Sequence, residues 1–560
     1  MKKSIRSFLG VLVILAISCH KSDPGPVAPT AGLYTLPLME TTDLHGYVVS
    51  TGNNAVQYRL AQIAGHAEYL REKGKDRLVL LDGGDLYQGA SVSNLLSGWP
   101  VYVSYDRMGY DAVALGNHDF DWGVEQTVDA DATLPDYQWQ GQSCANLVPV
   151  VCANLYRNGQ RDPRTLDYVI LEKSAVNAKG AVIPVRIGVV GFAVNYAKSI
   201  IATQFIDKGY SIRADFDYAN SIAARLEDSG QCDATVLLIH GAADYAAGSL
   251  GQDTPFDLVL GGHSHATRYG NTDWGLAYLQ GGRYGEHYAY TDLTFYRDED
   301  GSVSFRYASR LNILTPETSG KLSADIQAVS DEALAACEQE LNEVIGYIDV
   351  DATNQYLDYS GKRATALGNW ACDITRSIGE TDVAFVNGGG IRTSFPLNGN
   401  ATRDITVADI YELFPFSNPI YVYRITYADL LQLLQYALTD GGEALFTLMT
   451  GVNCAFTSGR EIHTITGPDN YLIYRDGKWI GDWARRTLTL AVSEYLATTE
   501  RTDYTTGLPN PLLEWNQTDR LLSNDRVDNI WAIQVLRQEA AASGGLLSID
   551  TRPHFMLLKD

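Results

Sequence analysis

Cations are scarce in this chain: its 560 residues hold 43 Lys and Arg against 67 Asp and Glu, a formal net charge of −24. A nucleic-acid strand or an anionic membrane surface needs a positive face to dock on, so neither is expected as a partner. A small phosphorylated ligand stays possible, because cations held in a site reverse the local sign. Long apolar runs are missing too. After Ile17 no segment is long and apolar enough to cross a bilayer. Cysteine is limited to seven residues and no CxxC spacing occurs, which argues against thiolate metal sites. Setting Cys19 aside leaves Cys144, Cys152, Cys232, Cys337, Cys372 and Cys454, with Cys144 and Cys152 the closest pair in sequence and no pairing readable. Internal repeats and low-complexity tracts are absent as well.

The first residues are Lys2, Lys3 and Arg6, followed by an apolar stretch from Phe8 to Ile17 that is too short to span a membrane and right for a signal-peptide core. It ends in Leu15-Ala-Ile-Ser-Cys19, which resembles the cleavage box of bacterial lipoproteins, where Cys19 would carry the lipid. Residues 1–19 therefore read as a signal peptide. Residues 20–33, with three prolines between His20 and Thr30, read as a tether. The expected product is exported and lipid-anchored at the bacterial cell envelope, touching the membrane only through that anchor.

What remains, about 540 residues, is too long for one core and suits two or three domains. Residues 34–310 alternate short β-type runs with amphipathic stretches and glycine turns, as α/β folds do. Helices are expected over Arg59–Lys73 and Ala214–Asp228, and strands over Arg186–Phe192 and around Leu293–Phe295. Residues 320–346 form a candidate linker helix, with Leu322, Ile326, Val329, Ala333, Cys337, Leu341 and Val344 at helical spacing and Gly346 as its C-cap. A second α/β pattern fills residues 347–560, with Val383–Val386, Ile420–Ile425 and a helix over Tyr427–Leu438.

Five motifs in the first half carry the chemistry. Asp43-Leu-His45, Asp85, Asn117-His118, His240 and His263-Ser-His265 each stand where an apolar run meets a polar or glycine-rich turn. A sheet can aim carboxylates and imidazoles at one point in this way. Asp, Asn and His without Cys suit two divalent ions such as zinc or manganese in nitrogen/oxygen sites. One ion would take Asp43, His45, Asp85 and His265, and the other Asp85, Asn117, His240 and His263, with Asp85 as the bridge. His118 follows a ligand directly and can project into the same space to stabilise developing charge, its ring held by Asp121. Five of the ten histidines fall in these motifs; His20, His66, His287, His463 and His554 have no such company and receive no role.

The strings Glu40-Thr-Thr-Asp-Leu-His-Gly46, Leu81-Asp-Gly-Gly-Asp85, Gly116-Asn-His-Asp-Phe-Asp121, Ile239-His-Gly241 and Gly261-Gly-His-Ser-His265 resemble the calcineurin-like metallophosphoesterases. The likeness is to the branch of 5′-nucleotidases, UDP-sugar hydrolases and 2′,3′-cyclic-nucleotide phosphodiesterases. It implies the ligand set above and a His118–Asp121 dyad. It also implies a four-layer αββα metallophosphoesterase domain joined to a C-terminal α/β substrate-binding domain. Some relatives carry Gln where this chain has His265, and both residues can ligate.

The second half follows the pattern of that C-terminal domain in Leu367-Gly-Asn-Trp370, Asn387-Gly-Gly-Gly-Ile-Arg392 and Phe414-Pro-Phe-Ser-Asn418. The resemblance implies substrate contacts from Asn387, Arg392 and, by a looser local match, Arg363. Phe416 and Tyr495 match the aromatic pair that sandwiches the nucleobase in relatives. Without the resemblance both aromatics would read as core. Two departures bear on base recognition: Ala497-Thr-Thr-Glu-Arg-Thr-Asp503 stands where relatives have Gly-Gly-Asp-Gly, and Ala364 replaces a Glu. The implied activity is two-metal hydrolysis of nucleotide phosphate esters, with a small nucleotide as partner and in-line attack on phosphorus by a metal-activated hydroxide. The same ligand set would also serve a cyclic-nucleotide phosphodiesterase/3′-nucleotidase or a UDP-sugar diphosphatase. An inactive surface binding protein would show a broken ligand set. Oligomeric state is not readable.

Overall fold

The computed structural model describes residues 27–49, 56–120, 138–139, 142–143, 148–193, 209–213, 215–354, 364–416, 418–439, 442, 448–499, 501–503, 506–516, 518 and 520–558. The signal peptide with Cys19, the first part of the tether, Cys144, Asp121 and Arg363 lie outside the described residues.

The motif-bearing strands are apolar on both faces, and their alternate residues enter different cores. Leu36, Leu38, Val79, Leu81, Ala112 and Ala114 join one buried cluster. Met39, Leu80 and Val113, pointing the other way, join a second. Val236 and Leu238 share the first cluster, whereas Leu237 and Ile239 enter a third. A continuous apolar run is what a strand buried on both sides requires.

The twelve-stranded sheet of the N-terminal part forms two halves. One half runs Val303–Leu314, Tyr288–Arg297, Gly32–Thr41, Val79–Asp82, Ala112–Ala114, Val150–Val151. The other runs Thr267–Asn271, Ala277–Gly281, Leu258–Leu260, Ala234–His240, Val182–Ala193, Tyr168–Val176. They join where Tyr168–Val176, at the edge of the second half, pairs with Gly32–Thr41 of the first at Thr35–Val176, and they enclose the shared cluster between their faces. Helices Arg59–Leu70, Trp99–Met108 and Ala324–Leu341 cover one outer face, and Phe216–Asp228 and Ala243–Ser249 the other. Four layers result, as the resemblance implies.

The C-terminal part is also α/β. A five-stranded sheet runs Leu448–Thr450, Val383–Val386, Thr487–Ser493, Pro419–Thr426, Leu521–Val527, and a second five-stranded sheet lies beside it. Helices Ala366–Gly379, Tyr427–Ala437 and Asp528–Ser543 pack on them. Thr426 and Asp429 close a capping box that starts the helix at Tyr427, where the sequence places it. The described cysteines, Cys152, Cys232, Cys337, Cys372 and Cys454, are all buried.

The candidate linker helix is shorter than the sequence suggests and ends before its expected cap. It spans Ala324–Leu341, and Val344–Ile348 is instead a strand paired with Arg403–Thr406. Gly346 is there for closeness: a Cβ would lie 2.7 Å from the Gly545 carbonyl. Val344 and Leu322, counted on the apolar stripe, are 53% and 48% exposed and belong to no helix. The rest of the stripe (Ile326, Val329, Ala333, Cys337, Leu341) packs into the N-terminal core.

Candidate metal centre

Five of the seven proposed ligands sit in left-handed backbone. Asp43 has φ 51°, His45 48°, Asp85 58°, His263 69° and His265 56°. Non-glycine residues adopt this region rarely and at a cost, and such costs gather at functional sites. The turns brace each other, since Asp43 N donates to Gly84 O at 2.9 Å and His45 N to Asp85 O at 2.8 Å. Gly116 must lack a side chain, because a Cβ there would lie 2.0 Å from Asp85 Oδ1.

The ligand atoms converge in two groups that share one residue. Asp43, His45, Asp85 and His265 form one, and Asp85, His240 and His263 the other, with the atoms of each within 4.8 Å of one another. Asp85 Oδ2 lies 3.6 Å from His45 Nε2 and 3.2 Å from His240 Nε2, so a single oxygen faces both groups. Asn117 Oδ1 joins the second group, 3.2 Å from His240 Nε2 and 2.9 Å from His263 Nδ1. His45 Nδ1 donates to Gln88 O and His240 Nδ1 to Gly83 O, each at 2.8 Å. Those bonds point both Nε2 atoms at the centre, the support that metal-ligating histidines ordinarily have.

Protonation states favour cation binding. Burial pushes His45 down to about 3, and burial with His45 and Arg392 nearby pushes His265 down to about 2. Burial and His240 push His263 down to about 4. Neutral imidazole is the ligating form. With Arg392 donating to its Nδ1, neutral His265 carries its proton on Nε2, 3.2 Å from the Nε2 lone pair of His45, and a cation bound there would displace that proton. Burial raises Asp43 to about 7, and neighbouring Asp85 adds to the rise. For Asp85 burial also acts upward, but His240, His118 and His45 outweigh it and hold the carboxylate well below its usual range. His240 is raised to about 10 by Asp85 and Asp43 against the pull of burial. The buried carboxylates want positive charge, and His45, His263 and His265 are neutral; His240 is cationic beside Asp85 and Asp43 and would give its Nε2 proton up to an ion held there, so the residues fit two divalent ions.

His118 stands beside this centre. Its backbone N–H donates to Asp85 Oδ1 at 2.8 Å, and its ring lies 5.4 Å from that of His45. From the C-terminal part, Phe416 stacks on His118 with centroids 4.8 Å apart and planes 24° apart. Arg392 lies over the Phe416 ring and donates to His265 Nδ1 at 3.3 Å and to Tyr284 OH at 3.1 Å. Arg392 is thus brought to the centre from a glycine turn whose Gly388 and Gly389 are exposed. Asn387 opens that turn, accepting from Gly390 N at 3.0 Å, and is half-buried. Tyr495 is half-buried against the C-terminal core. Among the described residues no ring contact joins Phe416 to Tyr495.

Three neighbours of the site escaped the reading of the sequence. Asp119 is buried and accepts from Gly116 N, Asp85 N and Leu86 N at 2.8–2.9 Å, clasping the two turns that carry Asp85 and Asn117. Its place inside Asn117-His-Asp-Phe-Asp121 was the available signal. Tyr284 packs edge-on to His45 and His265 from its own left-handed position, and nothing in its sequence context marks it. Gln88 is the third, with His45 bound to its main chain.

Comparison with known proteins gives the family likeness. Residues 344–466 match the family model described as "5'-nucleotidase, C-terminal domain". The trifunctional nucleotide phosphoesterase protein YfkN of Bacillus subtilis is 23% identical over 78% of this chain, which spans 30% of that protein's length. The 5'-nucleotidase of Rattus norvegicus is 23% identical over 78% of this chain and 77% of its own. In fold, the 5'-nucleotidase precursor from Thermus thermophilus superposes with a TM-score of 0.67 at 19% identity, covering 94% of this chain and all of the other. The sulfate thiohydrolase SoxB of the same organism superposes at 0.63 and 15% identity over 96% of this chain and 98% of its own, so the fold alone does not name a substrate.

Proposed function

We propose that this chain, a relative of the 5′-nucleotidases of the calcineurin-like phosphoesterase family with their C-terminal domain in its second half, hydrolyses phosphate esters of nucleotides. The observation that carries the reading is Asp85 Oδ2, shared between two convergent ligand groups. Such a pair of divalent ions polarises phosphoryl oxygens and lowers the pKa of bound water. Asp43, His45, Asp85 and His265 would hold one ion, and Asp85, Asn117, His240 and His263 the other.

The remaining residues act on the ester. His118, with Asp121 as its proposed partner, would stabilise charge on the transition state or the leaving oxygen. Arg392 offers a planar fork suited to phosphate, with Asn387 shaping its turn and Arg363 a second basic candidate. A complete ligand set argues against a binding protein that has lost turnover. Asp503 supports weak discrimination among bases: it is buried, and its carboxylate accepts from Thr506 N and Oγ1, both at 2.7 Å. Phosphate release from 5′-mono-, di-, 2′,3′-cyclic and sugar nucleotides tests the substrate class. The 5′-monophosphates should lead with little preference among bases, and a sharp preference for cyclic or diphosphate substrates would replace this reading.

Phe416 and Tyr495 are the proposed base clamp. Since Phe416 here lies on His118, a base would have to take up its ring face as the C-terminal part shifts. Stacking contributes roughly 1–3 kcal/mol per base, so Phe416→Ala should raise KM for nucleoside monophosphates about 5- to 150-fold. Hydrolysis of p-nitrophenyl phosphate should fall far less. Equal loss on both substrates would return Phe416 to a packing role.

Attachment at Cys19 to the bacterial envelope completes the proposal. Cys19→Ser should release the protein into soluble fractions or block its maturation, and a mature wild-type protein without an acyl chain by mass spectrometry would remove the anchor.

A further inference from the structure

Helix Val407–Leu413 of the C-terminal part crosses to the N-terminal part, where Ala408 and Tyr411 pack against the core cluster beneath the metal-bearing strands. The helix runs into Phe414-Pro415-Phe416, and the last carbonyls of a helix need partners from outside it. The Phe414 carbonyl accepts from Asn529 Nδ2 at 3.1 Å, within its own domain. The Pro415 carbonyl takes two amides from the other domain instead. Asn94 Nδ2 donates to it at 3.0 Å, and Gln88 Nε2 donates to it as well. Both lone pairs of one buried carbonyl are thus filled across the interface, one residue before the ring that lies on His118.

Gln88 joins this contact to the metal centre. Its main-chain oxygen holds His45 Nδ1 at 2.8 Å while its side chain, 1% exposed, grips Pro415. Asn94 is fixed in turn by Gly89, accepting from its N–H at 2.9 Å and donating to its carbonyl at 3.2 Å. Gln88 therefore stands in the turn that carries Asp85, and Asn94, on the short helix Ser91–Leu95, is tied to that turn through Gly89.

We propose that Gln88 and Asn94 are positioning residues, an amide latch on the Pro415 carbonyl that sets Phe416 and Arg392 against the metal centre and so governs nucleotide capture. The proposal rests on the nucleotide-hydrolase reading for its kinetic consequence and on geometry alone for its structural one. A net hydrogen bond is modest, so Gln88→Met and Asn94→Leu should each raise KM for adenosine 5′-monophosphate about 2- to 12-fold, and together about 5- to 150-fold. The kcat should change less than KM, and metal content should stay at two ions per chain.

The test uses the full chain loaded with Mn2+, with spin labels at the exposed positions Tyr245 and Ile530, one in each domain. In the double variant the interdomain distance distribution should move to longer values, and saturating adenosine 5′-monophosphate should restore part of the short population. Unchanged distances and unchanged KM would overturn the latch. Loss of metal with unchanged distances would also overturn it, leaving Gln88 and Asn94 as supports of the His45 turn. Should wild-type protein release no phosphate from any nucleotide, the hydrolase reading fails while the ligand-free distances still decide the latch.

Discussion

Asp85→Asn should abolish nearly all phosphate release and leave the protein short of at least one metal ion. The position is unlike its neighbours because one oxygen, Oδ2, faces both ligand groups, while the other accepts from His118 N at 2.8 Å. An amide in its place removes a negative charge from between two cations and puts an N–H donor at one of those two positions. Replacing a partner behind the ligands typically costs about 10- to 100-fold, and loss of the bridge should exceed that. Asp82→Asn is the control. Asp82 accepts from Gly84 N at 2.8 Å, Thr41 Oγ1 at 2.6 Å and Tyr105 OH at 2.7 Å, all behind the site, so a measurable share of activity should survive. Metal analysis beside the kinetics separates the two, and near-normal turnover with two bound ions in Asp85→Asn would refute the bridge.

His118→Asn should lower kcat by about 10²- to 10⁴-fold, the range for a lost general acid or charge-stabilising group, with metal content nearly unchanged. The side chain stands next to the ligand Asn117 and beside His45, yet belongs to neither convergent group. A variant that loses metal instead would make His118 a ligand. Because Phe416 lies on this ring, KM for nucleotides should move as well, though less than kcat.

The candidate metal centre was legible in the sequence because each ligand motif follows a short apolar run and those runs are strands of one layered sheet. Asp43 and Asp85 lie just past Gly32–Thr41 and Val79–Asp82, which pair in register, while His240 ends Ala234–His240 in the other half. The linker helix was legible in its apolar stripe from Ile326 to Leu341, while its start lies later than expected, at Ala324, where Ser323 accepts from Ile326 N at 3.3 Å as its cap. Its end was not legible, since a glycine needed for close approach to Gly545 O looks in sequence like a glycine needed for a cap. The left-handed backbone at five ligands leaves no compositional mark, because none of them is Gly. Asp119 hid in plain view among candidate ligands, its role set by three backbone N–H groups that only folding gathers. Contacts between the halves, such as Arg392 with Tyr284 and Gln88 with Pro415, join residues more than 100 positions apart and follow from no local pattern.

The central claim, two ions sharing Asp85 in a phosphoesterase, meets its most direct test in a metal titration. Purified protein is stripped with a chelator, confirmed metal-free and titrated with Mn2+ or Zn2+, and phosphate release from adenosine 5′-monophosphate is followed at each step. Activity should be negligible in the stripped protein, stay low through the first equivalent and rise to its full value as the second binds. Full activity without metal, or a plateau at one equivalent, would contradict it.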